Sequence, residues 1–232
     1  MAEINRILII NKEKGWTSFD VVAKMRSLLK VKKIGHTGTL DPDAEGVLVL
    51  CVGKATKLVN TLTKHDKEYE ATLLFGKRTD TQDISGTVLE EAEVNVSREE
   101  AEQAALSFLG GYDQIPPMYS AKKVKGKKLY ELAREGITVE REPRHIEITD
   151  LSVTGFESPR LYFTVSCSGG TYIRTLCEDI GKKAGSPACM EALRRTRVGE
   201  FTLKDARTVK EVEAALSEGG PEEILIPIQP KE

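Results

Sequence analysis

The stretch GHTGTLDPDAEGVLVLCVG, residues 35–53, joins a polar loop to a continuous apolar run. Residues 47–52 are all aliphatic or cysteine and are bounded by Gly46 and Gly53, which is typical of a short strand buried in a sheet. The loop before them contains one histidine, two aspartates and one glutamate, residue types that add little to a core. The stretch therefore predicts a loop with functional side chains at the start of a central strand.

The segments on either side of this stretch combine strand and helix patterns. Residues 7–10 and 68–75 have the composition of strands, and Ser18 is the predicted cap of a helix with apolar residues at helical spacing. Residues 55–62 are predicted to form another helix, and residues 87–89 to continue the sheet. Strands and helices thus follow one another without strict alternation.

The second half of the chain contains further caps and turns. Ser97 with Glu100 forms a capping box for a helix predicted to end at the glycine pair 110–111. The two prolines in residues 115–120 exclude a helix there and predict an extended surface segment. Helices are expected at residues 129–134 and 172–183, and strands at residues 145–153 and 161–167. The pattern predicts the α+β class, with a mixed, mostly antiparallel central sheet flanked by helices and loops.

The composition is that of a globular protein. The 232 residues are 40% hydrophobic and 30% charged, and a chain of this length can bury a sizeable core. There is no apolar run of about 18 residues and no hydrophobic leader, so we expect a cytoplasmic protein without a membrane partner. The four cysteines lack C-x-x-C spacing and there are three histidines, so we expect buried thiols and no metal site.

The charges are distributed unevenly along the chain. A formal net charge of −2 excludes a uniformly basic nucleic-acid binder. Local clusters nevertheless occur at Lys122, Lys123, Lys125, Lys127 and Lys128, and at Arg194, Arg195 and Arg197. Such clusters are either solvated surface or phosphate contacts, and composition leaves both interpretations open.

The carboxylates of the opening stretch partly match three kinds of site. A calcium-binding EF-hand loop starting at Asp41 needs a carboxylate where Val52 stands, and a phosphate-binding P-loop ending at Lys54 needs glycine where Leu48 stands. A phosphatase aspartate follows an apolar strand, whereas Asp41 precedes one. Two interpretations remain: Asp41 is a nucleophile on a rigid turn beside Pro42, or it only stabilises the turn.

Ten short motifs resemble those of the TruB family of tRNA pseudouridine synthases. The central one is GHTGTLDP at residues 35–42. The others, in chain order, are NK at 11–12, GWTS at 15–18, GKATK at 53–57, KEY at 67–69, TDTQD at 79–83, PPMYSA at 116–121, KKLYELAREG at 127–136, GTYIR at 170–174 and LRRT at 193–196. They span nearly the whole chain in the family's order, so the chain is identified as a member of that family.

The resemblance implies the pseudouridine synthase fold and isomerisation of uridine to pseudouridine at position 55 in the T loop of tRNA, without metal or cofactor. Asp41 would be the nucleophile that assists cleavage of the glycosidic bond, before the base rotates and rejoins the sugar through carbon. Arg174 would pair with Asp41 and keep it ionised. Tyr69 would pack on the flipped base and assist proton transfer.

The resemblance also implies residues that bind RNA. His36 would occupy the space left by displaced nucleotides, and Tyr172 and Leu193 would line the base pocket. Further RNA contacts are expected at Lys12, Lys57, Asp83, Lys122, Lys123 and Lys127, and the arginines after Leu193 are interpreted as phosphate contacts. The expected partner is tRNA, bound by a monomer that needs no protein partner.

Two departures from the family pattern concern the ends of the chain. One catalytic domain is expected over residues 1–218, with a short extension at 219–232 in place of the RNA-binding PUA domain of many relatives. Glu13 stands where the first motif usually has proline, which is expected to loosen that turn without affecting Asp41.

Three other functions fit the residues less well. A guide-RNA-dependent relative inside a ribonucleoprotein is disfavoured by the short chain. A tRNA-folding chaperone without chemistry is disfavoured by the presence of Asp41, Tyr69 and Arg174, although chaperoning beside catalysis stays open. A phosphatase predicts dependence on magnesium, and activity in a chelator would exclude it.

Overall fold

The computed structural model describes residues 5–124, 126–220, 222 and 224–227. Within them lie the helices α1 (Ser18–Leu29), α2 (Val59–Leu62), α3 (Arg98–Leu106), α4 (Leu129–Arg134), α5 (Ile173–Lys183) and α6 (Val209–Glu218). The strands are β1 (Arg6–Lys12), β2 (Ile34–His36), β3 (Glu45–Val52), β4 (Lys67–Phe75), β5 (Lys77–Thr79), β6 (Val88–Glu91), β7 (Gly110–Gln114), β8 (Lys123–Val124), β9 (Lys127–Lys128), β10 (Arg144–Glu157), β11 (Arg160–Cys167), β12 (Ala188–Val198), β13 (Phe201–Thr202) and β14 (Ile226–Pro227).

The chain divides into two compact units. The first contains residues 1–69 and 193–232, and the second contains residues 70–192. The division falls within β4 and within β12, so both strands contribute residues to each unit.

The first unit is built around β3, whose residues 46–52 are all buried. β1 pairs with β3 along its whole buried length, and β2 pairs with the far end of β3, both antiparallel. β12 pairs parallel with the start of β3, and β14 pairs with β1. One hydrophobic cluster of this sheet contains Ile7, Ile9, Val47, Val49, Val198 and Phe201. The hairpin of β2 and β3 leaves residues 37–44 as a loop with both ends fixed.

The second unit contains the strand order β4, β11, β10, β7. β10 pairs antiparallel with both of its neighbours, and α3 packs against β10 and α5. β5 with β6 and β8 with β9 form two separate two-stranded ribbons.

The structure confirms the α+β class and the mostly antiparallel sheet. The strands predicted at residues 7–10, 47–52, 68–75, 145–153 and 161–167 are present, as are the helices at 129–134 and 172–183 with shifts of a residue at most at the helix ends. All four cysteines are buried free thiols, as expected. Within the described part of the chain, no helix is both long and apolar enough to cross a bilayer.

Two predicted helix details are wrong. The cap of α1 is Thr17, which forms a capping box with Asp20, while Ser18 is buried and bonded to the loop. Residues 55–62 do not form one α-helix, because Gly53–Leu58 takes the tighter 3₁₀ form and only the last four residues are α-helical.

Three predictions for residues 87–120 also need correction. Residues 87–89 contribute to the ribbon of β5 and β6, not to the main sheet. The capping box of α3 is present, but the helix ends at Leu106 and the glycine pair 110–111 begins β7. Residues 115–120 are not helical, but Pro116 and Pro117 are buried, since prolines pack well where no backbone donor is needed.

Candidate active site

Asp41 lies in the middle of the loop of residues 37–44 and is half-buried. The N–H of Ala44 donates to the Asp41 carbonyl at 3.1 Å, which closes a turn around Pro42 and Asp43. Gly46, the second residue of β3, has φ +102, and a side chain there would overlap the backbone of β12. Glycine is therefore required where β12 meets the start of β3.

Side chains from the preceding motifs hold the backbone on both sides of Asp41. The Ser18 hydroxyl donates to the Leu40 carbonyl at 3.1 Å and accepts from the Leu40 N–H at 2.9 Å. The Lys12 ammonium donates to the Pro42 carbonyl at 3.0 Å. The residues immediately before and after the candidate nucleophile are thus fixed, and the carboxylate is presented in a defined direction.

Lys12 does not fit the predicted contact with RNA. It is fully buried, and its ammonium also donates to the carbonyls of Glu13 at 3.1 Å and Trp16 at 2.7 Å. Burial lowers the pKa of Lys12 to about 8, against the opposing effect of Asp41. A cation with three carbonyl acceptors is a structural anchor of the loop. Proline in place of Glu13 would offer the same carbonyl, so this departure from the family pattern leaves the anchor intact.

Arg195 is a second buried anchor of the loop. Its guanidinium donates to the carbonyls of Val47 at 2.7 Å and Gly38 at 3.1 Å, and 2% of the residue is exposed. It therefore does not fit the phosphate contact predicted for this cluster, and Arg197 donates to a backbone carbonyl of the following turn at 3.0 Å. Arg194 is exposed and stays consistent with the prediction.

His36 is the last residue of β2 and is partly buried beside the loop. Burial lowers the pKa of His36 below its usual 6.5, and the nearby Arg195 charge lowers it further. The Gly38 N–H lies 3.4 Å from Nδ1 and donates to it, a contact that needs this nitrogen unprotonated. The lowered pKa favours the neutral imidazole, which suits stacking or hydrogen bonding better than a cationic role.

We expect histidine NMR titration to give a pKa for His36 below 6.5 and a higher value in Arg195→Met. The pKa of His36 is lower in the folded state than in the unfolded state. The free energy of unfolding is therefore expected to fall as the pH drops from 6.5 through the folded-state pKa. Arg195→Lys keeps the charge and is expected to keep the pKa low, and Arg197→Met is the matched control. An unchanged His36 pKa in Arg195→Met contradicts this electrostatic role.

In the second unit, Arg174 is the second residue of α5 and 7% exposed. Its guanidinium donates to the carbonyls of Thr81 and Tyr119, both at 2.9 Å, and lies 3.9 Å from the Asp83 carboxylate. We call these four residues the Arg174 cluster. Two nitrogens of the planar guanidinium donate to carbonyls of two separate loops, which fixes its orientation. A lysine ammonium could not make the same pair of contacts in one plane.

Asp83 organises its own loop within this cluster. Its Oδ1 accepts from the Thr81 hydroxyl at 2.8 Å, the Ser85 hydroxyl at 2.6 Å and the Ser85 N–H at 3.1 Å, while Oδ2 faces Arg174. Any side chain at Gly86 would overlap the Thr81 hydroxyl. These contacts give Thr81 and Asp83 of the TDTQD motif a structural role that needs no RNA, and the RNA contact of Asp83 stays a prediction.

The other predicted site residues are divided between the units. Tyr69 on β4 and Leu193 on β12 are buried and belong to the first unit, with Asp41. Tyr172, which immediately precedes α5, is half-buried and belongs to the second unit, with Arg174. The pairing of Asp41 with Arg174 stays a prediction.

The lysines predicted to contact phosphates are on the surface. Lys57, Lys122, Lys123 and Lys127 are all exposed, and the last two lie on the ribbon of β8 and β9. Lys125 lies outside the described residues. Exposed ammonium groups on a hairpin are available to a polyanion, in contrast to Lys12.

The anchoring roles of Ser18 and Arg195 were not predicted from the sequence. The signal for Arg195 is its alternation with Leu193, because residues two apart on a strand face the same side. Assigning residues 188–198 to a strand places both on its inner face, with Arg194 outward, as the burial pattern shows.

Comparison with known proteins gives consistent matches. A family model described as "TruB family pseudouridylate synthase (N terminal domain)" matches residues 26–173, and one described as "tRNA pseudouridylate synthase B C-terminal domain" matches residues 174–230. A protein named "tRNA pseudouridine synthase B" from Bacillus pumilus (strain SAFR-032) is 48% identical over 97% of this chain and 75% of its own length. Its namesake from Bacillus subtilis (strain 168) is likewise 48% identical, with the same coverage.

Solved structures match at lower identity. A chain in "Crystal Structure of a Cbf5-Nop10-Gar1 Complex" superposes with a TM-score of 0.74 and 30% identity, covering 94% of this chain. The present chain spans 57% of that protein's length.

Proposed function

Because the chain belongs to the TruB family of pseudouridylate synthases, we propose that it isomerises uridine to pseudouridine in the T loop of tRNA, at position 55. The observation that carries the proposal is Asp41, presented on a turn whose backbone is held at Leu40 and Pro42 by Ser18 and Lys12. An aspartate that only shaped its own turn would not need this external support. Such support is expected for a catalytic carboxylate, which has to be held in one orientation toward its substrate.

The proposed reaction moves the base from a nitrogen to a carbon linkage. Asp41 attacks C1′ of the ribose, or assists formation of a glycal, as the bond from C1′ to uracil N1 breaks. The detached uracil rotates, and C5 bonds to C1′ as the bond between Asp41 and C1′ breaks or, on the glycal route, as C2′ regains the proton that it lost. The C5 hydrogen then leaves as a proton while N1 gains one. The overall reaction is an isomerisation, and we propose that no metal or organic cofactor takes part in it.

Arg174 is proposed to pair with Asp41 and keep it ionised when RNA excludes water. Its support by the carbonyls of Thr81 and Tyr119 is what a fixed cationic partner requires. Tyr69 packs on the flipped uracil and takes part in proton transfer at the sugar. Tyr172 and Leu193 are proposed as further walls of the base pocket.

Uridine 55 is stacked within a folded loop and must be extruded, at a cost of about a few kcal/mol. We assign His36 to the space that the displaced nucleotides leave. A neutral imidazole stacks or accepts a hydrogen bond there without repelling Arg195. This role rests on the lowered pKa and on its position at the end of β2.

The exposed lysines supply the contacts to phosphates. We expect Lys122→Gln and Lys123→Gln each to weaken tRNA binding and to reduce the slope of log affinity against log salt by about 0.7–0.9. Lys24→Gln, which removes a lysine paired with Glu213 on the surface, is the control. The slope for each protein is measured by fluorescence binding of tRNA at salt concentrations between roughly 50 and 200 mM. Equal slopes in all three variants and the wild type would remove these lysines from the interface.

The test of the proposed function is release of tritium from tRNA transcript labelled at uracil C5. The purified chain alone, in a chelator, is expected to release one tritium per tRNA. No release contradicts the proposal, and release that stops in the chelator contradicts the absence of a metal.

A second candidate is guide-RNA-directed modification inside a ribonucleoprotein, because the Cbf5 structure is similar at a TM-score of 0.74. The relatives with 48% identity carry the tRNA enzyme's name, which favours the first candidate. The purified chain acting alone as a monomer in the cytoplasm is part of our proposal. Activity that appears only with added guide RNA and partner proteins would favour the second candidate.

A further inference from the structure

Gln114 is a buried glutamine at the end of β7 that binds the backbone of Tyr172. Its side chain is 1% exposed. Oε1 accepts from the Tyr172 N–H at 2.8 Å, and Nε2 donates to the Tyr172 carbonyl at 3.1 Å. The second Nε2 hydrogen goes to the Tyr112 hydroxyl at 2.7 Å. Both amide hydrogens are therefore used, and only one orientation of the amide satisfies both groups of Tyr172.

This contact fixes the start of α5. Tyr172 is the cap residue of the helix, and its own side chain does not cap the first turn. The Tyr172 carbonyl accepts from the Leu176 N–H at 3.0 Å, the first helical hydrogen bond, and from Gln114 as well. Gln114 thus sets the position of the first turn, which carries Arg174 two residues later.

The amide is itself held by the Tyr112 hydroxyl, which accepts from Gln114 Nε2 at 2.7 Å. Burial raises the pKa of Tyr112 well above its ordinary value, and the nearby Asp179 carboxylate on α5 adds to this rise, so the hydroxyl stays protonated. A hydrogen bond buried in this way is stronger than one exposed to water.

We infer that Gln114 is a positioning residue for pseudouridine formation: its amide places the Tyr172 backbone, and so the aromatic ring and the Arg174 turn, against the base. The inference rests on the proposed function. Glutamate, leucine and asparagine cannot replace it: ionised glutamate lacks the donors, leucine lacks both groups, and asparagine is one methylene shorter.

The test compares Gln114→Glu and Gln114→Leu with the wild type in single-turnover assays on tRNA transcript. Rates are normalised to the folded fraction measured by circular dichroism. A displacement of about 1 Å costs on the order of 100-fold, so we expect a fall in kcat of roughly 10- to 100-fold with tRNA affinity unchanged. Gln103→Glu, at an exposed glutamine on α3, is the control.

Gln114→Glu adds a pH signature that simple destabilisation does not give. The buried carboxyl restores one donor when it is protonated and repels the Tyr172 carbonyl when it is ionised. The rate relative to wild type is therefore expected to rise as the pH falls, in Gln114→Glu but not in Gln114→Leu. If Gln114→Leu fails to fold, the pH dependence of Gln114→Glu relative to wild type still tests the inference.

Two results overturn the inference while the proposed function stands: normalised kcat equal to wild type in both variants, or equal loss of kcat and tRNA affinity without a pH difference. A wild type that forms no pseudouridine overturns the proposed function, and the inference with it.

Discussion

Asp41→Asn is expected to bind tRNA as the wild type does and to form pseudouridine about 10⁴-fold more slowly or worse, the scale of loss for an essential catalytic group. Asparagine has the same shape as aspartate but is neither a nucleophile nor an anion. The contacts that shape the loop use the backbone of Leu40 and Pro42, so they persist in the variant. Single-turnover rates and tRNA binding are measured on the same preparation.

Asp43→Asn is the matched control, since this aspartate is two residues away on the same loop and is exposed. We expect it to retain the wild-type rate. A wild-type rate in Asp41→Asn, or a comparable loss in Asp43→Asn, contradicts the assignment of the nucleophile.

Arg174→Met has the second largest expected effect. It removes the cation proposed beside Asp41, which is expected to lower kcat by roughly 10²–10³-fold, as for other preorganised charges. It also leaves the carbonyls of Thr81 and Tyr119 without their donor and Asp83 without its cation. The free energy of unfolding is expected to fall by about 3 kcal/mol. Urea unfolding and single-turnover kinetics measure the two effects separately.

Arg174→Lys tests the geometry of the guanidinium. It keeps the charge, but one ammonium cannot reproduce the planar fork between two carbonyls, so we expect an intermediate rate. Arg160→Met removes a bidentate partner of Glu191 in the same unit and is the control, with an unchanged rate. A wild-type kcat in Arg174→Met would exclude Arg174 from the chemistry.

The fold class could be predicted from local sequence patterns, because the structure contains the helices and strands that these patterns indicate. β3 was predicted because an uninterrupted apolar run between two glycines has few alternatives, and α3 because its capping box is explicit in the sequence. Residues 55–62 and 107–111 were misassigned because short segments follow tertiary contacts more than propensity. β12 was overlooked, since its buried arginine interrupts the apolar alternation that marks a strand.

The candidate site was predictable only in part. The glycine-shaped loop singled out Asp41, but the residues alone left it undecided between nucleophile and turn, and the family motifs were needed to choose. Lys12 and Arg195 were assigned to RNA because a sequence does not show whether a cation is buried. Their carbonyl acceptors lie up to 157 residues away in the chain, a separation that no local pattern reports.

The most direct test of the central claim is to map pseudouridine in two tRNA transcripts after incubation with the purified chain. One transcript is unmodified, and the other has cytidine in place of the T-loop uridine at position 55. We predict one pseudouridine per molecule at that position in the first transcript and none in the second. An unmodified T loop in the first transcript, or equal modification of other uridines in both, would contradict the account.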